Sequence, residues 1–131
     1  MKHQHRHLLA ILLFAPDALY ATAWLVMDVS ARLGIWPRDW AWVDIYGFVA
    51  SYPISAEVIF FAVVPFKLTA LILMMARRKL AVPVLAISAI LHFTDWMSLL
   101  GNPYYQASVD GILQILVEVT ALTLLIRLRM A

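Results

Sequence analysis

The hydrophobic positions of this chain fall into four long runs. They extend from about Leu8 to Val29, Ser55 to Ala76, Leu80 to Leu100 and Val109 to Ile126. Each approaches the roughly 20 helical residues needed to cross a hydrocarbon core about 30 Å thick. Backbone groups in lipid must be satisfied within their own segment, so helices are the expected form. The pattern predicts an all-α integral membrane protein, an up-down-up-down four-helix bundle in which residues 1–131 make one transmembrane domain.

The connections agree with that order. Arg77-Arg78-Lys79 is short enough to fold the second and third runs into an antiparallel hairpin, and Gly101-Asn102-Pro103-Tyr104-Tyr105 turns the third into the fourth. The longest connection, Ser30 to Ile54, carries Trp36, Trp40, Trp42, Tyr46 and Tyr52 among Pro37, Gly47 and Pro53. Rings with apolar bodies and polar tips collect at the headgroup boundary. Trp40 to Ala50 is therefore predicted as a short helix that lies in the interface or folds over the bundle. Its aromatics would form a belt or a lid over a ligand cavity.

Composition supports the membrane reading. Hydrophobic residues make up 64% of the chain and charged residues 14%, with a mean hydropathy of +0.85. A domain of that kind could not cover its own surface with polar groups in water. The net charge of +2 comes in short clusters beside the apolar runs, a topology signal that argues against a nucleic-acid partner. With the N-terminus inside, the inner segments hold Lys2, Arg6, Arg77, Arg78, Lys79, Arg127 and Arg129, and the outer loops only Arg32 and Arg38. Cytoplasmic termini follow, and a bacterial inner membrane is the expected location. The basic start and Ala21-Thr22-Ala23 resemble a signal peptide, but the apolar run continues to Val29, so a span is expected. The absence of cysteine excludes disulfide exchange, Cys-ligated zinc, iron–sulfur clusters and thioether haem. No phosphate loop, nucleophile elbow or HExxH occurs, and no cofactor is expected.

The ionisable residues inside the spans are the functional candidates. Asp17 lies nine residues past Leu8, Lys67 ten before Arg77 and Glu118 nine before Arg127. At 1.5 Å per residue all three sit roughly 13–15 Å deep. They are predicted to form a midplane ion network that Gln114, one turn from Glu118, can extend. Pro16 and Pro65 stand beside it, each freeing a helical carbonyl. The alternatives are a polar relay and a buried ion pair that fastens the bundle.

A second layer lies nearer the outer surface: Asp28, Glu57, His92, Asp95 and Asp110, with Trp96 adjacent. Asp17 and Asp28 share a helix face with Tyr20 and Trp24; His92 and Asp95 share another; Asp110, Gln114 and Glu118 form an i, i+4, i+8 stripe. Each span thus carries one polar stripe, and the stripes should converge. His3, His5 and His7 read as the hydrated flank of the first span. One interior histidine is too few to support a metal centre, so no metal is expected.

Met27-Asp28-Val29, the aromatic, proline-containing outer loop, Ala56-Glu57-Val58-Ile59-Phe60-Phe61, Pro65-Phe66 and His92 occur in an order that resembles the EXPERA group, which includes emopamil-binding sterol isomerases and the sigma-two receptor. The resemblance implies four helices around an intramembrane cavity for sterol-like or cationic amphiphilic ligands. By resemblance, Asp28 and Glu57 would contact a cationic ligand or a carbocation-like intermediate, and His92 would assist proton transfer in an isomerase. Lys67, Asp95 and Glu118 depart from that pattern, so catalysis stays open.

The leading expectation is a protein that binds a lipid-like, isoprenoid or cationic amphiphilic molecule. Its ligand would lie among Asp28, Glu57, His92, Asp95 and Asp110, lined by Trp24, Trp96, Phe60 and Phe61. One alternative is an accessory subunit of a larger respiratory or photosynthetic membrane complex. Another is a proton-coupled small carrier that uses the Asp17/Lys67/Glu118 level as a homodimer.

Overall fold

The computed structural model describes residues 2–38, 44–104 and 108–130. Its elements are α1 (Lys2–Arg32), α2 (Ile45–Ser51), α3 (Ile54–Met75), α4 (Ala81–Leu99) and α5 (Ser108–Met130). Four of the five are long and apolar enough to cross a membrane, and the protein is an all-helical integral membrane bundle. The 31 residues of α1 span about 46 Å at 1.5 Å per residue, so this helix extends beyond the hydrocarbon core.

The four spans close into a ring in the order α1, α3, α4, α5, with α3 diagonally opposite α5. The start of α1, the end of α5 and the α3–α4 turn meet at one end of the bundle; α2 and the α4–α5 turn lie at the other. The interior is layered. Toward the terminus-bearing end, Ala10, Phe14, Ala70, Met74, Leu85 and Leu125 form a closed apolar cluster. At the loop end Ile45, Phe48, Tyr52, Ala56 and Leu99 form a second one, against which Trp24 and Phe60 pack. Buried charges occupy the space between.

Helix ends are set by local chemistry. At the end of α1, Gly34 adopts a φ of 71°, and Ile35 N–H and Gly34 N–H donate to the Ser30 and Ala31 carbonyls, each at 3.0 Å. This is the Schellman closure, in which the left-handed residue is normally glycine. The same closure ends α3, where Arg78 N–H donates to the Leu73 carbonyl at 2.8 Å and Arg77 N–H to that of Met74 at 3.0 Å. There the left-handed residue is Arg77, with a φ of 53°. Pro16 and Pro65 lie within continuous helices and face outward, which leaves the adjacent Asp17 and Lys67 buried.

The predicted short helix is α2, which begins at Ile45; Trp40 and Trp42 lie outside the described residues. Asp44 caps it by accepting from Gly47 N–H at 2.9 Å. It folds over the bundle: Phe48 stacks on Tyr52 at 5.1 Å and meets Trp24 at 5.9 Å. Asn102 Nδ2 donates to Ser51 Oγ at 3.0 Å, tying the end of α2 to the α4–α5 turn.

Candidate functional site

One ionisable residue from each spanning helix enters a single buried network. Lys67 Nζ of α3 donates to Asp17 Oδ2 of α1 at 2.7 Å and stands 2.9 Å from Glu118 Oε1 of α5. His92 Nδ1 of α4 is 3.2 Å from Glu118 Oε2. An ionised Glu118 can only accept in that contact, which requires a proton on Nδ1. The side chains of Lys67 and Glu118 are wholly inaccessible to solvent. Asp17, Lys67 and Glu118, placed at one level by counting along the helices, therefore meet in the bundle. His92 joins them instead of remaining with the outer carboxylates.

The network is not fully satisfied by hydrogen bonds. Among the described residues, Asp17 Oδ1 is buried without a hydrogen-bond partner, and Glu118 Oε1 meets the ammonium as an ionic contact without hydrogen-bond direction. Burying charges costs several kcal/mol per ion unless partners offset it. An arrangement of this kind is therefore specific about which side chains it tolerates.

The outer acidic residues separate into three units. Arg32 Nε donates to Asp28 Oδ1 at 2.5 Å, and its Nη2 reaches Glu57 Oε1 at 3.1 Å. One guanidinium thus bridges the two carboxylates of α1 and α3. Asp95 accepts from the hydroxyl of Tyr52, which descends from the end of α2. Asp110 Oδ2 accepts from Tyr20 at 3.3 Å. Arg32 is i+4 from Asp28, so half of the bridge was readable as a helix-surface pair. Tyr20 and Tyr52 looked like neighbours or boundary aromatics, with nothing to mark them as carboxylate partners.

Two spaces adjoin these groups. A central cavity of about 50 Å³ is lined by Trp24, Phe48, Tyr52 and Phe60 and by Lys67, His92, Asp95 and Gln114. It has room for only a few waters. Among the expected aromatic residues, Trp24 and Phe60 line it. Phe61 instead lies edge-on to Phe60, with ring centroids 6.3 Å apart. Trp96 leans on Phe93 at 6.0 Å and covers Gly111 of α5.

The second space is a groove of about 340 Å³ between α1 and α5, where Asp17, Tyr20, Asp110 and Gln114 alternate with apolar residues such as Leu13 and Leu113. Leu113 is 55% exposed, so the groove opens through the outer wall of the bundle, where lipid would lie. Along α1 it runs from Leu13 to Tyr20, about 10 Å at the helical rise. Asp17, paired with Lys67 on its buried side, lies partway along it.

Among the described residues, no group of three or more histidines, cysteines or carboxylates could hold a metal ion. No protein-family model, curated protein or solved structure matches the chain.

Proposed function

We propose that this membrane protein binds a lipid-like molecule with a cationic head, held between α1 and α5. The observation that carries this reading is the groove itself. It has two carboxylates, a phenol and an amide in an apolar, laterally open channel, and its volume of about 340 Å³ lies within the roughly 300–1,000 Å³ of small-molecule sites. An amphiphile would slide in from the bilayer with its chain against Leu13 and Leu113. Its ammonium would meet Asp110, whose partner among the described residues is the hydroxyl of Tyr20.

The resemblance to the EXPERA group would set the cation against Asp28 and Glu57. Arg32 already neutralises that pair and Lys67 neutralises Asp17, so in this reading Asp110 recognises the head. Asp28 and Glu57 instead hold the α1–α3 seam, and His92 steadies Glu118. Binding is the proposal, and turnover is not part of it. The bias of seven inner cations against two outer ones supports cytoplasmic termini, which would place the groove's polar end nearer the outer leaflet.

The test uses the full chain in lipid nanodiscs, with dodecylamine and dodecanol as matched probes. Dodecylamine should raise the melting temperature and dodecanol should not. Asp110→Asn should weaken amine binding about tenfold, as expected for loss of one charge-assisted hydrogen bond. Equal responses to the two probes, or an unaltered Asp110→Asn protein, would refute the reading.

A second reading, a subunit of a larger membrane complex, is favoured by the small size of the central cavity, about 50 Å³, because a nearly filled bundle can serve as a packing element. A stable monomer after mild detergent extraction would count against it.

A further inference from the structure

The other end of the bundle has an opposite chemistry. The chain has no carboxylate side chain before Asp17, between Glu57 and Asp95, or after Glu118. The end where the start of α1, the end of α5 and the α3–α4 turn meet therefore carries cations with no Asp or Glu beside them. Among the described residues, the ion pairs involve Arg32, Lys67 and His92 and none of the turn's three cations.

These cations surround a recess. A pocket of about 400 Å³ is bounded by Arg77, Arg78 and Lys79 on the turn and by His7 of α1. Leu125 and Leu128 of α5 form part of its apolar wall. His7 Nε2 lies 2.9 Å from the Met74 carbonyl, which anchors α1 to the last turn of α3. The same carbonyl accepts from Arg77 N–H at 3.0 Å. The left-handed backbone of Arg77, with a φ of 53°, is strained for a residue with a side chain. Glycine would close the helix there without that strain. Arginine at this position brings three consecutive cations to the pocket rim.

We infer that this pocket binds a phosphate group with net negative charge, most suitably the headgroup of an anionic phospholipid. Cations at the rim meet the phosphate, and the wall of Leu125 and Leu128 receives the first part of an acyl chain. Juxtamembrane cations attract anionic lipid with about 1 kcal/mol each, or about fivefold in affinity per cation. The site lies at the opposite end of the bundle from the α1–α5 groove and takes the opposite charge, so the two can fail independently.

Native mass spectrometry of the full chain in detergent micelles tests it, with dioleoylphosphatidylglycerol and dioleoylphosphatidylcholine as probes. Phosphatidylglycerol should be retained at least about tenfold more tightly. Arg78→Gln/Lys79→Gln leaves the helix closure intact and should reduce that preference; adding Arg77→Gly should abolish it. Displacement of the lipid by millimolar inorganic phosphate would assign the site to a free phosphate, and indifference to it would assign the site to the headgroup. Equal retention of the two lipids overturns the proposal. So does unchanged retention of phosphatidylglycerol in a triple variant that melts like the parent. Should that variant not fold, the double variant decides.

Discussion

Lys67 and Asp17 stand 50 positions apart in the chain, yet their side chains meet at 2.7 Å in the middle of the bundle. The ammonium also faces Glu118, so a single cation holds one carboxylate from the neighbouring α1 and one from α5 across the bundle. Lys67→Met would leave those carboxylates facing each other without compensation. A loss of about 3–5 kcal/mol is expected, as for breaking a buried ion pair on one side. Reversible unfolding in mixed micelles measures it. Lys67→Met/Asp17→Asn should cost less than Lys67→Met alone, because one stranded charge has been removed. A neutral Lys67→Met would show that the network does not hold the bundle together.

Arg32 joins Asp28 and Glu57 across the α1–α3 seam. Asp28 is 1% exposed, so Arg32→Gln would strand a buried carboxylate at a cost of about 1–3 kcal/mol. Asp28→Asn in the same background should recover part of that loss. Thermal melting of the single and double variants decides, and additive losses would mean that the two side chains act separately.

Gly111 permits α5 to approach α4, since a β-carbon there would collide with the indole of Trp96. Gly111→Ala should destabilise by about 1–3 kcal/mol through overpacking. Trp96→Leu should relieve the collision, so the alanine should cost less in that background. Equal cost in both backgrounds would show that Trp96 is not the obstacle.

Arg77 makes the reverse prediction. Its left-handed backbone costs roughly 1 kcal/mol relative to glycine, partly offset by the greater freedom of a glycine in the unfolded chain. Arg77→Gly should therefore leave stability unchanged or raise it slightly while weakening retention of anionic lipid. A clear drop in unfolding midpoint would mean that the guanidinium itself supports the fold.

Tyr52 reaches from the end of α2 to Asp95. Tyr52→Phe keeps the ring that stacks on Phe48 but removes this hydroxyl, leaving the buried carboxylate one donor short. The expected loss is about 1–3 kcal/mol, with faster amide hydrogen exchange in α2. Exchange confined to its present rate would mean that the stacked rings alone hold α2 over the bundle.

The spans, the two hairpins and the common depth of Asp17, Lys67 and Glu118 could be read from the chain because each follows from a property of one segment. Apolar length sets where a helix crosses, and the fixed rise per residue sets how deep each side chain lies. The stripe of Asp110, Gln114 and Glu118 follows equally from helical periodicity. Partner choice has no such local origin. His92 reads from the sequence as part of the outer layer with Asp95, and its pairing with Glu118 depends on how far α4 and α5 are rotated about their own axes. Arg32 could be paired with Asp28 from spacing, but its reach to Glu57 required α3 to lie beside α1. The groove beside Asp17 exists only because α1 and α5 are neighbours in the ring. Sequence alone thus determined the common depth of Asp17, Lys67 and Glu118, but not that His92 would join them. Rotation and adjacency, which packing between distant segments sets, were decided only by the tertiary structure.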